Sequence, residues 1–227
     1  MVRFAEKVIH FYQTLVTPGN LPEGIEVMHP HLTGEVECVS SEFYRKFYSD
    51  VRPRTFIIGI NPGRFGGGIT GVPFTDPVKL ETFCGIKHNL KGKTELSADF
   101  IYNVIQQYGG VESFYRDFYF TSVAPLGFIK NGLNLNYYDD KELVETLRPR
   151  LGEWLQQQVD FGANRDFCIC LGSGKNHKYL MEINLRYSFF KRIEVVEHPR
   201  FIMQYRRRNM LEFVEKYINV LGQNNAL

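Results

Sequence analysis

Thr55-Phe56-Ile57-Ile58-Gly59-Ile60-Asn61-Pro62-Gly63-Arg64-Phe65-Gly66-Gly67-Gly68-Ile69-Thr70-Gly71-Val72-Pro73-Phe74 holds both features from which the fold is read. Thr55 to Ile60 follows Pro53 and is a short unbroken apolar run, the pattern of a strand buried on both faces. The rest is a glycine-rich loop, and it excludes two phosphate cradles. A P-loop ends in Gly-Lys-Ser/Thr, and a dinucleotide loop runs G-x-G-x-x-G straight into a helix. Here Pro62, Pro73, Phe65 and Phe74 stiffen the loop, and Gly71-Val72-Pro73-Phe74 is not a helix start. Such a loop builds a shaped pocket.

Working outward, Phe4, Val8, Phe11/Tyr12 and Leu15 recur at helical spacing, and Thr17-Pro18-Gly19-Asn20 stops that helix. Glu35 to Tyr48 is a second helix candidate, so residues 1–50 are expected to be the helical N-terminal part of one domain spanning 1–227. Past the loop, Ser97 to Tyr108 is a helix with Ser97 as a possible cap, closed by Gly109-Gly110. Asp117 to Val123 is β-prone and ends at Pro125. A helix begins at Asp139/Asp140 and runs to about Val159, with Pro149 as a break or kink. Strand Phe167 to Leu171, helix Asn176 to Tyr187 and strand Arg192 to Val196 follow. A final helix carries Leu211, Val214, Ile218 and Leu221 on one face. Strands separated by helices predict an α/β fold, a three-layer α/β/α sandwich with a central, mainly parallel four-stranded sheet. In such sheets ligands bind at the carboxyl ends of the strands. The loops after Ile60, Val123, Leu171 and Val196 therefore delimit the expected site, and the unusual residues all fall in them.

Composition narrows the class. At 44% hydrophobic and 15% aromatic residues the chain carries enough apolar surface for one well-buried core. No apolar run approaches the ~20 residues of a membrane span, and Met1 to Lys7 lacks the apolar block of a signal peptide. A cytoplasmic protein with no membrane partner is the expectation. Of the cysteines, Cys168 and Cys170 sit in a run that looks buried on both faces, and no C-x-x-C pair exists. They are read as core cysteines; no cofactor, metal or iron–sulfur cluster is expected. The net charge of +2 announces no nucleic-acid partner. Its distribution says more: Arg206-Arg207-Arg208 is the densest basic run, with Arg200 just before it and Lys175, His177 and Lys178 elsewhere. A run of this kind is ordinarily a solvated face.

The loop resembles the first motif of the single-strand-selective monofunctional uracil-DNA glycosylase family, within the uracil-DNA glycosylase superfamily. That family shows G-M-N-P-G, a Phe-Gly pair, then T-G-V-P-F. Gly59, Asn61, Pro62, Gly63, Phe65, Gly66, Thr70, Gly71, Val72, Pro73 and Phe74 match in register. The family's second motif begins H-P at a strand end, and His198-Pro199 follows Ile193 to Val196 in the same place. Leu171-Gly172-Ser173-Gly174-Lys175 is similar to its strand-then-glycine turn. The resemblance implies a monofunctional DNA glycosylase that hydrolyses the N-glycosidic bond of uracil or another deaminated base during base-excision repair. The partner implied is DNA with a damaged base, bound by a monomer.

Breaking that bond develops positive charge on the sugar and negative charge on the leaving base. It calls for a positioned water, a donor to the base's oxygen and a pocket for a flipped nucleotide. By resemblance Asn61 positions the water and His198 donates to the base oxygen. Phe74 stacks on the extruded base, unless it merely packs in the core. Gly63 allows close approach of the backbone. Two departures stand out. The family's base-reading Asn, just before C-P-L, is replaced by Ser122 in Thr121-Ser122-Val123-Ala124-Pro125-Leu126. One hydroxyl cannot span two edge atoms as an amide does, which puts the substrate base in doubt. In place of S-P-R after the second motif stands Arg200-Phe201-Ile202-Met203. Apolar residues beside arginine fit a wedge filling the gap left by a flipped base; packing under the last helix is the alternative. Arg206, Arg207 and Arg208 fall near that helix's first turn, an unfavourable place for cations, which favours phosphate contacts. A DNA- or nucleotide-binding module of the same fold with little or no turnover is the rival reading, kept open by Ser122. A cluster-dependent glycosylase of the same superfamily is a third, opposed by the cysteine spacing.

Overall fold

The computed structural model describes residues 1–223. Its first part holds α1 (Phe4–Thr14), β1 (Ile25–Met28), α2 (Gly34–Phe47) and β2 (Thr55–Gly59), followed by the short helices α3 (Gly67–Thr70) and α4 (Pro77–Thr82). Helices α5 (Leu96–Tyr108) and α6 (Gly110–Asp117) lead into β3 (Phe118–Ser122), and β4 (Gly127–Lys130) and β5 (Leu133–Leu135) form a hairpin. Then α7 (Lys141–Val159), β6 (Phe167–Leu171), α8 (Lys175–Tyr187) and β7 (Arg192–Val196) alternate, and α9 (Pro199–Tyr205) and α10 (Met210–Gly222) follow.

The expected α/β architecture is present: a four-stranded sheet in the order β3-β2-β6-β7, parallel throughout and flanked by helices. Strands β2, β3 and β6 are buried along their whole length, which is why each is an apolar run rather than an alternating one. Cys168 and Cys170 lie fully buried in β6, and Cys84 is buried in the core as well. Helix α1 turns Phe4, Val8, Phe11 and Tyr12 inward. The Phe4 ring meets Tyr48, Phe56, Tyr119 and Phe161 at centroid distances of 5.3, 6.3, 5.1 and 6.1 Å. Each such pair adds about 0.5–1.5 kcal/mol beyond its area burial. Residues 4–48 thus share the apolar core of the sheet. Among the described residues no helix is long and apolar enough to cross a membrane.

Several local expectations are corrected. Residues 1–50 are not all helical, because Ile25–Met28 pairs antiparallel with β4. A second sheet of order β1-β4-β5 results. Its hairpin turns at Asn131-Gly132, both left-handed at φ 52 and 70, as a tight two-residue turn between twisted strands requires. Ser97 does not cap α5; it is buried inside the first turn, and Glu95 occupies the cap position. The Asp76 carboxylate does the anchoring, accepting from the Glu95 N–H at 2.9 Å. Pro149 does not interrupt α7. It is exposed, so the carbonyl it leaves unpaired can be hydrated. The buried face of α10 is Val214, Tyr217 and Leu221, whereas Leu211 is 66% exposed. Finally, Arg206 to Arg208 do not lie in the first turn of α10. Arg206 caps the C-terminal end of α9, and Arg207 and Arg208 form a 3-10 turn before α10. The dipole argument for phosphate contacts therefore lapses for Arg206, since a cation is well placed at a helix C-terminus, whereas Arg207 and Arg208 still stand just before the N-terminus of α10.

Candidate active site

Parallel pairing brings the four expected loops to one end of the sheet. Gly59 is paired in register with Ser122, and Leu171 with Val196, so each strand's last residue lies beside a neighbour's. Past those ends the loop of Asn61 turns back over the β4–β5 hairpin. Side chains at Gly68 or Gly127 would collide with Met28 of β1, and this is what lets the loop lie close on the second sheet. Gly63 is different. A Cβ there would sit 3.4 Å from Asn134 Nδ2, an ordinary contact, so the fold itself does not demand glycine at that position.

Asn61 is half-buried and fully oriented. Its Nδ2 donates to the carbonyls of Pro62 and Leu135, both at 3.2 Å. Its Oδ1 accepts from the Tyr137 N–H at 3.0 Å. Both amide protons are spent, which fixes which atom is oxygen, and one lone pair of Oδ1 remains. Chemically, that leaves one acceptor for a water proton.

His198 is the residue before α9. Its Nδ1 accepts from the Arg200 N–H at 3.2 Å, so the ring proton resides on Nε2. Burial pushes its pKa down to about 4, with the Arg200 charge adding to the shift. At neutral pH it is an uncharged imidazole with one outward donor.

Phe74 lies 5.9 Å, centroid to centroid, from the His198 ring and 5.2 Å from Phe120. Its φ of 53 is a left-handed conformation that bulky residues avoid, at a cost of about 1–3 kcal/mol. Thr70 Oγ1 holds the turn by donating to the Thr75 carbonyl at 2.6 Å. The ring is half-buried rather than sealed in the core.

Ser122 is 8% exposed, and its hydroxyl donates to the Ala124 carbonyl at 2.8 Å. The next two backbone N–H groups are also committed: Val123 donates to the Gly59 carbonyl and Ala124 to that of Ile60, both at 3.1 Å. What this edge offers a ligand is the lone pairs of Ser122 Oγ.

The second motif behaves differently from a loop. Pro199 to Tyr205 is helix α9, with Ile202 and Met203 buried. Those two residues cannot form a wedge. Phe201 stays 42% exposed, 5.6 Å from the Tyr205 ring, and the Arg206 guanidinium lies over it at 5.7 Å. Arg200, Arg207 and Arg208 are exposed. Lys175, at the start of α8, lies 3.6 Å from Asp139 and 5.6 Å above the Tyr138 ring, so its charge is shared. Leu135, Tyr137, Asn134 and Asn176 escape sequence reasoning. Asn131-Gly132 between apolar runs is the available hairpin signal for the first three; an asparagine early in a helix gives none.

A separate cavity of about 10 Å³ is lined by Ile9, Tyr12, His31, Ser40 and Tyr44, among others, and includes none of the strand-end groups. It has room for no more than one water.

A family model described as the uracil DNA glycosylase superfamily matches residues 45–222. The crystal structure of wild-type Pedobacter heparinus SMUG2 is similar at a TM-score of 0.95 and 44% sequence identity, over 100% of each chain. No curated protein matches.

Proposed function

The chain belongs to the uracil DNA glycosylase superfamily, and from that premise we propose that it hydrolyses the N-glycosidic bond of uracil, or another deaminated base, in DNA. In this reading it acts as a monofunctional base-excision enzyme. The observation that carries the proposal is the pairing of two complementary groups at one sheet end. Asn61 has a single free acceptor and His198 a single free donor.

The chemistry needs both. As the bond from sugar to base lengthens, electrons move onto the base and the sugar becomes cationic. The His198 Nε2–H donates to the base's carbonyl oxygen as its negative charge grows, and a neutral imidazole does so without itself surrendering the proton. Water, held through a proton on Asn61 Oδ1, adds to the sugar's anomeric carbon and its proton is lost to solvent. An amide is too weak a base to deprotonate that water beforehand, so departure of the base leads. Phe74, held rigid by its turn, stacks on the flipped base. Gly63, not required by the fold, leaves room for the nucleotide.

Ser122 sets selectivity by polarity. Because its proton is given to Ala124, it can only accept, and a base edge must bring an N–H to meet it. Uracil, hypoxanthine and xanthine can bring a ring N–H; cytosine and adenine present a lone pair at the corresponding ring nitrogen and can meet the oxygen only through their exocyclic amino group. One acceptor cannot rank the lactam bases strongly. Single-turnover release is expected from oligonucleotides carrying uracil and, measurably, from those carrying hypoxanthine or xanthine. Ser122→Asn should raise the uracil-to-purine rate ratio; an unchanged ratio removes Ser122 from base reading. Absence of release from every substrate, hydroxymethyluracil included, would leave a binding module.

DNA is held, in the same reading, by Lys175, Arg200, Arg206, Arg207 and Arg208, with Phe201 as the group that enters the stack. Replacing Arg206, Arg207 and Arg208 together with alanine should weaken binding to all sequences alike. It should also flatten the slope of log affinity against log salt, by roughly one for each phosphate no longer neutralised. An unchanged slope would make the run a solvated face.

A further inference from the structure

Beneath Asn61 lies a closed ring of hydrogen bonds whose two far members, Tyr137 and Asn176, touch no reacting group. Tyr137 is fully buried in the segment between β5 and α7, and Asn176 is 1% exposed in the first turn of α8. The Tyr137 hydroxyl donates to Asn176 Oδ1 at 3.3 Å. Asn176 Nδ2 faces the Gly59 carbonyl at 3.2 Å and the Leu171 carbonyl at 3.4 Å, the last carbonyls of β2 and β6. Gly59 stands two residues before Asn61. The path therefore leaves β2 at Gly59, passes through Asn176 and Tyr137, and returns to Asn61 through the Tyr137 N–H at 3.0 Å. Leu135, in the same segment, accepts from the amide's other end at 3.2 Å.

The ring has a physical purpose. Ladder pairing between β2 and β6 ends at Ile58 and Cys170, one residue short of the carbonyls of Gly59 and Leu171. Asn176 bridges them. The segment carrying Leu135 and Tyr137 is a connection, and its register against Asn61 would be soft were the Tyr137 ring not pinned at its hydroxyl. That ring is flanked by Tyr138 and Tyr179 at 5.0 and 5.7 Å, which fixes its plane; the bond to Asn176 fixes its depth. A free amide could flip and present Nδ2 to the water, a donor where the reaction needs an acceptor. We propose that Tyr137 and Asn176 are positioning residues that set the orientation and rigidity of the Asn61 amide. The consequence for rate rests on the reading of Asn61 given above; the structural claim does not.

Two readouts test it. In Tyr137→Phe, which keeps the ring packing, the Asn61 side-chain amide protons should exchange with solvent about fivefold faster, the scale of one neutral hydrogen bond. Their resonances are identified by their loss in Asn61→Ala. Asn176→Leu should do the same more strongly, because it also takes a donor from two strand-end carbonyls, those of Gly59 and Leu171; if it fails to fold, Tyr137→Phe alone decides. Single-turnover uracil release by Tyr137→Phe should fall about fivefold with DNA affinity unchanged. In an Asn61→Ala background the same substitution should then change nothing, whereas a merely structural residue would slow both proteins equally. Unaltered exchange in Tyr137→Phe overturns the proposal, as does an equal effect in both backgrounds. Faster exchange in a protein that never releases base would sustain the positioning role and overturn the proposed activity instead.

Discussion

Replacing His198 with alanine is expected to slow single-turnover base release at least about 100-fold, the scale of losing one pre-oriented donor to a developing oxyanion. Affinity for undamaged DNA should scarcely change, since the imidazole carries no charge to offer a phosphate. The pH profile separates this donor from a cationic one. With its pKa pushed down to about 4, His198 is already neutral across the neutral range. The wild-type rate should therefore show no inflection near 6.5 that His198→Ala removes. Such an inflection would mean that an imidazolium donates and that the assigned proton position is wrong. The linked effect on stability has a definite sign. A histidine whose folded pKa lies below its unfolded value contributes stability above about 6.5. That contribution is lost as pH falls toward 4, so His198→Ala should narrow the acid sensitivity of the melting temperature. Alanine also removes the Nδ1 acceptor of the Arg200 N–H. His198→Asn can restore the cap while lacking the imidazole, and it should recover stability without recovering rate.

Asn61→Ala is expected to cost a comparable factor, at least about 100-fold, with unchanged DNA affinity. The informative companion is Asn61→Asp. In isolation a carboxylate is a better base than an amide. Here it would set a second oxygen against the carbonyls of Pro62 and Leu135, which now accept from Nδ2. Facing two acceptors, the aspartate would be driven toward its protonated form or swing away. Asn61→Asp should therefore fall below wild type at neutral pH rather than exceed it. A rate at or above wild type would show that the water needs a stronger base than the native amide, and that these two carbonyls do not decide the residue type.

How much of this is legible in the chain depends on what each residue does. Asn61, Phe74 and His198 lie in long motifs next to strand ends, and their convergence follows from parallel pairing alone. Other features leave no local trace. Ile202 and Met203 have the composition of a wedge, because four residues after a His-Pro do not disclose whether they start a helix; in α9 both are buried, and of the three apolar residues that follow Arg200 Phe201 alone stays exposed. Leu211 fits the apolar face of the last helix by spacing, yet the helix is rotated to bury Tyr217, whose ring meets Phe100 at 5.0 Å.

The sequence by itself determined the parallel sheet, the strand-end loops that gather the candidate site and the residue types those loops hold. Unbroken apolar strands and residue-specific motifs are local properties, and the chain states them directly. Only the tertiary structure decided how each polar atom is spent. Ser122 is restricted to accepting because Ala124 takes its proton. His198 keeps its ring proton on Nε2 because Nδ1 accepts from the Arg200 N–H, and Asn61 has an acceptor to spare because Leu135 and Pro62 hold its amide protons. Hydrogen-bond capacity is finite at every atom, so what a side chain can offer a substrate is what its folded neighbours leave over. Some of those neighbours stand more than seventy residues away in the chain.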